Sequence, residues 1–471
     1  MVLARLAETL TQSAEGISDR VTGALFEPVI RLGVTGLSRS GKTVFITSLI
    51  ANLMDRGRMN QLSGVASGAI TAAFLQPQPN DTVPRFDFET HLAALSGANP
   101  HWPTSTRRVS ELRLSLRVQP SGILGAISGP RTVHLDIVDY PGEWLLDLAL
   151  LDKDFATWSA ETLARAEGRE MAGPFLKKLA EIDASEKLDE SAAQSISKVF
   201  TQYLNALRAA GFSDCTPGRF IMPGDLEGSP ALTFAPMSAV ERPKRRSLWR
   251  EMERRFEAYK SKVVKPFFTT HFAGIDRQIV LVDVLGAIHD GPQAVEDLRA
   301  TMADILGAFK TGKNGWLSSI MGKKVEKILF AATKADHIHH KQHANLNGIM
   351  DALVNDARRR ADFSGAKTQS MSLASLRSTI EETHKHEGTP LDMVRGRLLD
   401  TDKEAAFYPG ALPDDPHELL EPATSGATKW LNDDYQVMRF APPDAKRRAG
   451  DGPAHIRLDQ AAEFLFGDKL R

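Results

Sequence analysis

Residues 36–43 read GLSRSGKT, between an apolar run (Val29, Ile30, Leu32, Val34) and a segment of helical periodicity. The spacing satisfies G-x-x-x-x-G-K-[ST] in the strand–loop–helix context that this pattern needs. A loop of this kind works only where the carboxyl end of a strand meets a helix N-terminus, so it commits the chain to an α/β fold. The strand is predicted over Pro28 to Thr35 and the helix over Thr43 to Met54. Gly36 and Gly41 let the backbone wrap phosphates with the N–H groups of Ser38, Arg39, Ser40, Gly41 and Val44, while Lys42 reaches the terminal phosphates and Thr43 ligates Mg²⁺. A similar glycine–lysine spacing recurs from Gly307 to Asn314, but it ends in Asn and follows a helical pattern, so it reads as a helix C-cap turn.

A phosphate loop names neither the base nor the reaction, and two later segments narrow both. ELRLSLRV (111–118) alternates apolar and polar residues, and TVHLDIVDYPGEW (132–144) then leads into Asp139-Tyr-Pro-Gly142, a D-x-x-G. An aspartate at a strand end can hold Mg²⁺ through water, and the Gly142 N–H can meet a γ-phosphate and release it after hydrolysis. The apolar strand Ile328 to Ala332 ends in Thr333-Lys334-Ala335-Asp336, which matches [NT]-K-x-D. The Asp336 carboxylate can accept both N1–H and N2–H of guanine, a pair that adenine does not offer, and the Lys334 stem can cover the ring. A stretch from Ser372 to Ser375 follows, where Ser375 is the candidate to present a backbone N–H to guanine O6. Asp283, at the end of another apolar strand (276–285), falls between the D-x-x-G and T-K-x-D strands and is expected to be structural. The order of the three motifs, each directly after an apolar strand, is that of guanine-nucleotide-binding P-loop proteins.

Composition limits the partners. At 471 residues, two packed units are expected. Basic and acidic residues number 58 and 59, so no global field favours nucleic acid, and none is expected as a partner. The single cysteine, Cys215, excludes an internal disulfide and fits a reducing cytoplasm. Leu3, Leu6, Leu10, Ile17, Val21 and Leu25 recur at helical spacing and predict amphipathic helices over 1–27, with attachment at the inner face of the cell membrane as an alternative to packing on the body. The stretch 242–267 carries ten Lys/Arg against three Glu with Trp249, Phe256 and Tyr259 interleaved, and reads as a solvated helix face with its aromatics turned inward. HIHHKQH (337–343) lacks partner ligands at a metal spacing.

The chain resembles the bacterial YcjX-like P-loop proteins over nearly its whole length. The resemblance rests on GLSRSGKT, WPTSTRR (102–108), DYPGEW (139–144), PGRFIMPGDLEGSPALTFAP (217–236), VVKPFFTTHFAGIDRQIVLVDVL (263–285) and HIRLDQAAEFLFGDKL (455–470). It implies a small-GTPase-like P-loop NTPase sheet with helices on both faces plus a helical insertion domain, GTP/GDP and Mg²⁺ as ligands, GTP hydrolysis, a role in stress responses and a protein partner, with a membrane protein as one option. The domain reading is N-terminal helices over 1–27, the first part of the G domain over 28–149, a mainly helical insertion over 150–270, and the rest of the G domain with C-terminal additions over 271–471. The first switch falls near Thr104, Ser105 and Thr106, with Thr106 the favoured Mg²⁺ ligand.

Two departures from small signalling GTPases bear on mechanism. Glu143 replaces the usual water-positioning glutamine, and its carboxylate repels a γ-phosphate unless it is protonated or turned away, so slow intrinsic turnover is expected. Arg39 lies inside the P-loop at the offset that guanylate-binding proteins are understood to use for an internal arginine finger, and a homodimer contact is one way to deploy it. A nucleotide-dependent scaffold with little hydrolysis, and an ATP-using P-loop enzyme, are the alternatives. Phe464, Leu465, Phe466 and Leu470 predict a C-terminal helix docked on the core.

Overall fold

The computed structural model describes residues 27–37, 39–104, 108–119, 129–213, 215–272, 274–307, 325–355, 358, 366–386, 388–426, 435–444 and 450–470. The expected N-terminal helices, Ser38, Ser105, Thr106 and most of the 307–314 turn lie outside the described residues.

The P-loop strand β1 (Val29–Gly36) is the centre of a seven-stranded sheet. It pairs in parallel with β4 (Arg131–Asp139) on one side and β5 (Arg277–Val282) on the other. Parallel strands β6 (Lys327–Ala332) and β7 (Lys367–Ser372) continue beyond β5, while β3 (Ser110–Val118) and β2 (Ile70–Gln76) extend the other edge in antiparallel pairing. The order β2-β3-β4-β1-β5-β6-β7 brings the carboxyl ends of β1, β4, β5, β6 and β7 to one edge. Helices cover both faces, so central strands are apolar on both sides. In β5, Ile279 and Leu281 join one core layer and Val280 and Val282 the other, all with 0% exposure.

One layer holds α1 (Lys42–Asp55), α2 (Phe88–Ser96) and the C-terminal helix α12 (Leu458–Phe466). Phe45, Ile46, Leu49, Ile50 and Leu53 form the inward stripe of α1 and are completely buried, each contributing on the order of 1.5–3 kcal/mol. The helix stops at Arg56, which adopts φ 65° and returns its N–H to the Asn52 carbonyl at 2.8 Å. Leu465, Phe466 and Leu470 dock on this layer as expected, with Phe464 half-buried against it.

The opposite layer holds α3 (Gly142–Leu146), α8 (Val284–Asp290), α9 (Pro292–Gly307) and α10 (His343–Leu353). Onto it pack α4 (Phe155–Glu167), α5 (Gly173–Ala180), α6 (Glu190–Ala209) and α7 (Leu248–Tyr259), whose aromatic residues are continuous with the sheet's core. Trp158 stacks on Phe256 with ring centroids 4.9 Å apart. The basic stretch supplies α7: Trp249, Phe256 and Tyr259 are buried, and Arg250, Arg254 and Arg255 pair with Glu253, Glu251 and Glu190.

A second, three-stranded antiparallel sheet was not foreseen. It consists of β8 (Thr379–His386), β9 (Thr389–Arg397) and β10 (Glu404–Phe407), followed by α11 (His417–Thr424). Its ladder carries cross-strand charge pairs, Arg395 with Glu382 and with Glu404, in place of an apolar alternation.

Candidate nucleotide-binding site

The P-loop turns through two left-handed residues, Arg39 at φ 65° and Gly41 at φ 82°. Gly41 opens α1 with no side-chain cap and no acid in the first turn, an N-terminus suited to an anion. Gly36 admits no side chain: a Cβ there would overlap Ser40 Oγ and sit 2.8 Å from the Leu281 carbonyl. Lys42 Nζ lies 3.2 Å from Asp139 Oδ1 and donates to the Tyr140 carbonyl at 3.0 Å. Thr43 is buried and Val44 half-buried in the first turn of α1.

The D-x-x-G segment lies directly against this loop. A Cβ on Gly142 would overlap the Gly36 carbonyl, so the two glycines bring the backbones of the segments together. Asp139 is completely buried, and neither carboxylate oxygen has a hydrogen-bond partner. Ser40 Oγ is likewise buried without one. Buried acceptors left in this state fit a site completed by a cation and phosphates. Among the described residues, Asp139 and Thr43 are the ones that would hold Mg²⁺.

Beyond Gly142 the chain turns into α3, where Glu143 and Trp144, and Asp147 just after it, meet the helical region. Glu143 is buried, with Oε1 3.4 Å from Arg208 Nη2 at the end of α6. Trp144 donates to the Met222 carbonyl at 3.0 Å and lies under the Arg219 guanidinium. Asp147 accepts the Gly218 N–H at 2.7 Å and the Tyr259 hydroxyl at 2.5 Å. Burial pushes the Asp147 carboxyl up to about 6 despite those bonds. Sequence reading missed Asp147, Arg208 and Gly218, because their partners lie 65 to 112 residues away along the chain; the glycine and proline signals around 217 marked only a turn.

On the base side, Thr333 ties β6 to β5 through the Val282 carbonyl, its N–H at 2.9 Å and its hydroxyl at 3.2 Å. Lys334 adopts φ 61° and its ammonium pairs with Asp283. Asp283 also caps α8 by accepting the Gly286 N–H at 3.1 Å, so it has both a structural partner and one from the base motif. Asp336 is buried, and its Oδ2 accepts both the N–H and the hydroxyl of Ser378, at 2.8 and 2.7 Å. Ser375 stands half-buried in the same loop, and the Ala374 backbone pairs with Ile456 from the C-terminal segment. The repeated serines of SLASLRS were the available signal for Ser378.

Two further expectations have positions. Arg39 is exposed; burial lifts the Asp290 carboxyl at the end of α8, while the charges of His289, Arg39 and Lys334 draw it back. Thr104 is exposed, two residues after Trp102, whose indole donates to the Phe440 carbonyl at 2.7 Å. The histidine run meets carboxylates that its spacing did not reveal: His340 Nδ1 lies 2.6 Å, and His339 Nε2 3.8 Å, from Glu381. His339 Nδ1 accepts the Lys341 N–H, which leaves Nε2 as the ring nitrogen facing Glu381.

The YcjX-like family matches the chain over residues 30–470. A protein of Escherichia coli (strain K12) named Ras-like GTPase YcjX is 36% identical over 463 residues, covering 94% of this chain and 96% of that protein. A protein of the same name from Shewanella oneidensis (strain MR-1) is 30% identical over 490 residues, covering 98% of each chain. No helix among the described residues is long and apolar enough to cross a membrane.

Proposed function

Since the chain belongs to the YcjX-like family, we propose that it is a Mg²⁺-dependent GTP-binding and GTP-hydrolysing switch whose helical insertion responds to nucleotide state. The observation that carries this reading is the backbone contact of Gly142 on Gly36, with Lys42 lying between Asp139 and Tyr140. In this reading the N–H groups of Ser38 to Val44 hold the phosphates, and Gly142 senses the γ-phosphate. Thr43, Asp139 and Thr106 would hold Mg²⁺, which when bound offsets the charge on the β- and γ-oxygens. Asp336, its rotation fixed by Ser378, accepts the guanine edge, while Lys334 leaves Asp283 to cover the ring, with Thr333 and Ser375 completing the base loop. Arg39 swings to the phosphates on activation. The GTP-bound form addresses a protein partner in a stress response.

The test is binding and turnover of GTP and ATP with Mg²⁺ by the wild type, Lys42→Ala and Asp336→Ala. The expected result is GTP hydrolysis that Lys42→Ala abolishes, with guanine preference lost in Asp336→Ala; preference for ATP sinks the reading. Arg39→Ala lowers turnover by roughly 10³-fold if that side chain is an arginine finger. The buried position of Glu143 favours a second reading, a nucleotide-dependent scaffold, whose signature is tight GTP binding without turnover.

A further inference from the structure

Glu143 presents a difficulty for any GTPase built on this site. A carboxylate directly after Gly142 stands beside the place where the γ-phosphate arrives, and two negative charges there oppose each other. The helical region supplies the answer. Arg208, in the last turn of α6, reaches Glu143 with Nη2 3.4 Å from Oε1. Its Nε is buried and has no hydrogen-bond partner, and neither does Glu143 Oε1. The pair is thus held by charge and proximity with donor capacity left over, unlike the two-pronged Arg113–Asp136 bridge in the sheet, at 2.6 and 2.8 Å.

The backbone fixes this approach. A Cβ on Gly218 would overlap the Glu143 carbonyl, so the helical region presses directly on the residue after D-x-x-G. Asp147, one turn further along, holds the same glycine N–H and Tyr259 of α7.

We propose that Arg208 is a positioning residue that neutralises Glu143, so that the helical insertion acts in cis as an activator of the site. The inference rests on the GTPase reading above. Glu143, with its charge offset, accepts a hydrogen bond from the attacking water. The water oxygen bonds to the γ-phosphorus and the bond to the β–γ bridging oxygen breaks, its electron pair leaving on GDP. The water proton passes to the released phosphate. Arg208 acts only through Glu143, keeping the carboxylate tolerable beside the phosphate.

Four proteins test this: wild type, Arg208→Ala, Glu143→Gln and the double variant, measured for GTP turnover, affinity for GDP and a non-hydrolysable GTP analogue, and thermal midpoint. Arg208→Ala leaves an uncompensated carboxylate; at about 5 Å and an effective dielectric near 20, turnover falls on the order of 100-fold. Affinity for the GTP analogue falls while that for GDP is kept. Adding Glu143→Gln removes the offending charge and recovers turnover to within about five-fold of Glu143→Gln alone. A merely structural Arg208 would lower the thermal midpoint and weaken GDP and the GTP analogue together, so equal loss for both nucleotides overturns the proposal, as does a double variant that turns over GTP no better than Arg208→Ala. So does an Arg208→Ala protein that turns over GTP like wild type. A wild type that binds GTP without hydrolysing it sinks the GTPase reading itself, and this inference with it.

Discussion

Asp147 is a residue whose protonation reports on the contact between α3 and the helical region. Its carboxyl is raised to about 6 from 3.8, first by burial, with the Tyr259 and Gly218 bonds offsetting part of the rise. The folded chain therefore holds this proton more tightly than the unfolded chain. The stabilisation is complete below about pH 3.8 and is lost as pH rises through about 6, amounting to about 3 kcal/mol for a shift of this size. Asp147→Asn keeps an acceptor for the Gly218 N–H and removes the titration. Thermal midpoints of both proteins from pH 4 to 7 should show the variant gaining on the wild type as pH rises. A constant difference would mean that Asp147 is solvated. Histidines held low by burial, His337 and His343, act in the opposite direction in both proteins and cancel in the comparison.

At the scale of elements, α3 is a five-residue helix that could not stand alone. Its stability comes from Trp144, which is 3% exposed, donates to Met222, lies under Arg219 and meets Phe267 edge-on at 5.0 Å. Trp144→Ala should cost about 3–5 kcal/mol, read as a lower urea midpoint by circular dichroism. A shift under about 1 kcal/mol would show that the site relaxes to fill the gap. The same contrast explains what was legible in the chain. β1, the P-loop and α1 were readable because Gly36, Gly41, Lys42 and the apolar stripe act on neighbours within a few residues. The strands β5 and β6 were readable because burial on both faces leaves an apolar run, and β4 because Val133, Leu135 and Ile137 alternate with His134 and Asp136. β8 and β9 were not, since TIEETHKH and TPLDMVRGR pair through charges and exposed backbone with no alternation to reveal them. β2 was lost inside the long connection from α1 to β3 for a related reason: only Ile70 of its seven residues is buried.

At the scale of the whole molecule, the C-terminal segment holds the two ends of the candidate site in register. Gly450 and Pro453 accept from Gly57 and Asn52 at the end of α1, at 2.9 and 3.1 Å. Ile456 then pairs with Ala374 in the loop after β7, at 2.8 and 3.1 Å, and Arg457 donates to the carbonyl and hydroxyl of Ser372, at 3.0 and 2.7 Å. One short stretch thus links the helix that follows the phosphate loop to the loop that positions Ser378 on Asp336. The segment cannot be removed cleanly, because α12 behind it buries Leu458, Leu465 and Phe466 and supplies the Leu465 carbonyl to the fully buried Arg277 at 2.7 Å. Truncation before residue 455 would expose that guanidinium's layer and unfold the chain, so a point variant separates folding from function. Arg457→Ala removes two bonds from the Ser372 end of the base loop and leaves α12 in place. Its expected outcome is a thermal midpoint within a few degrees of wild type and affinity for GTP and GDP weakened together by about ten-fold, the size of one or two lost charge-assisted hydrogen bonds. Equal loss for both nucleotides is the sign of a defect on the base side, since the γ-phosphate contacts are untouched. Unchanged affinity would mean that the base loop is held by Ser378 and Asp336 alone.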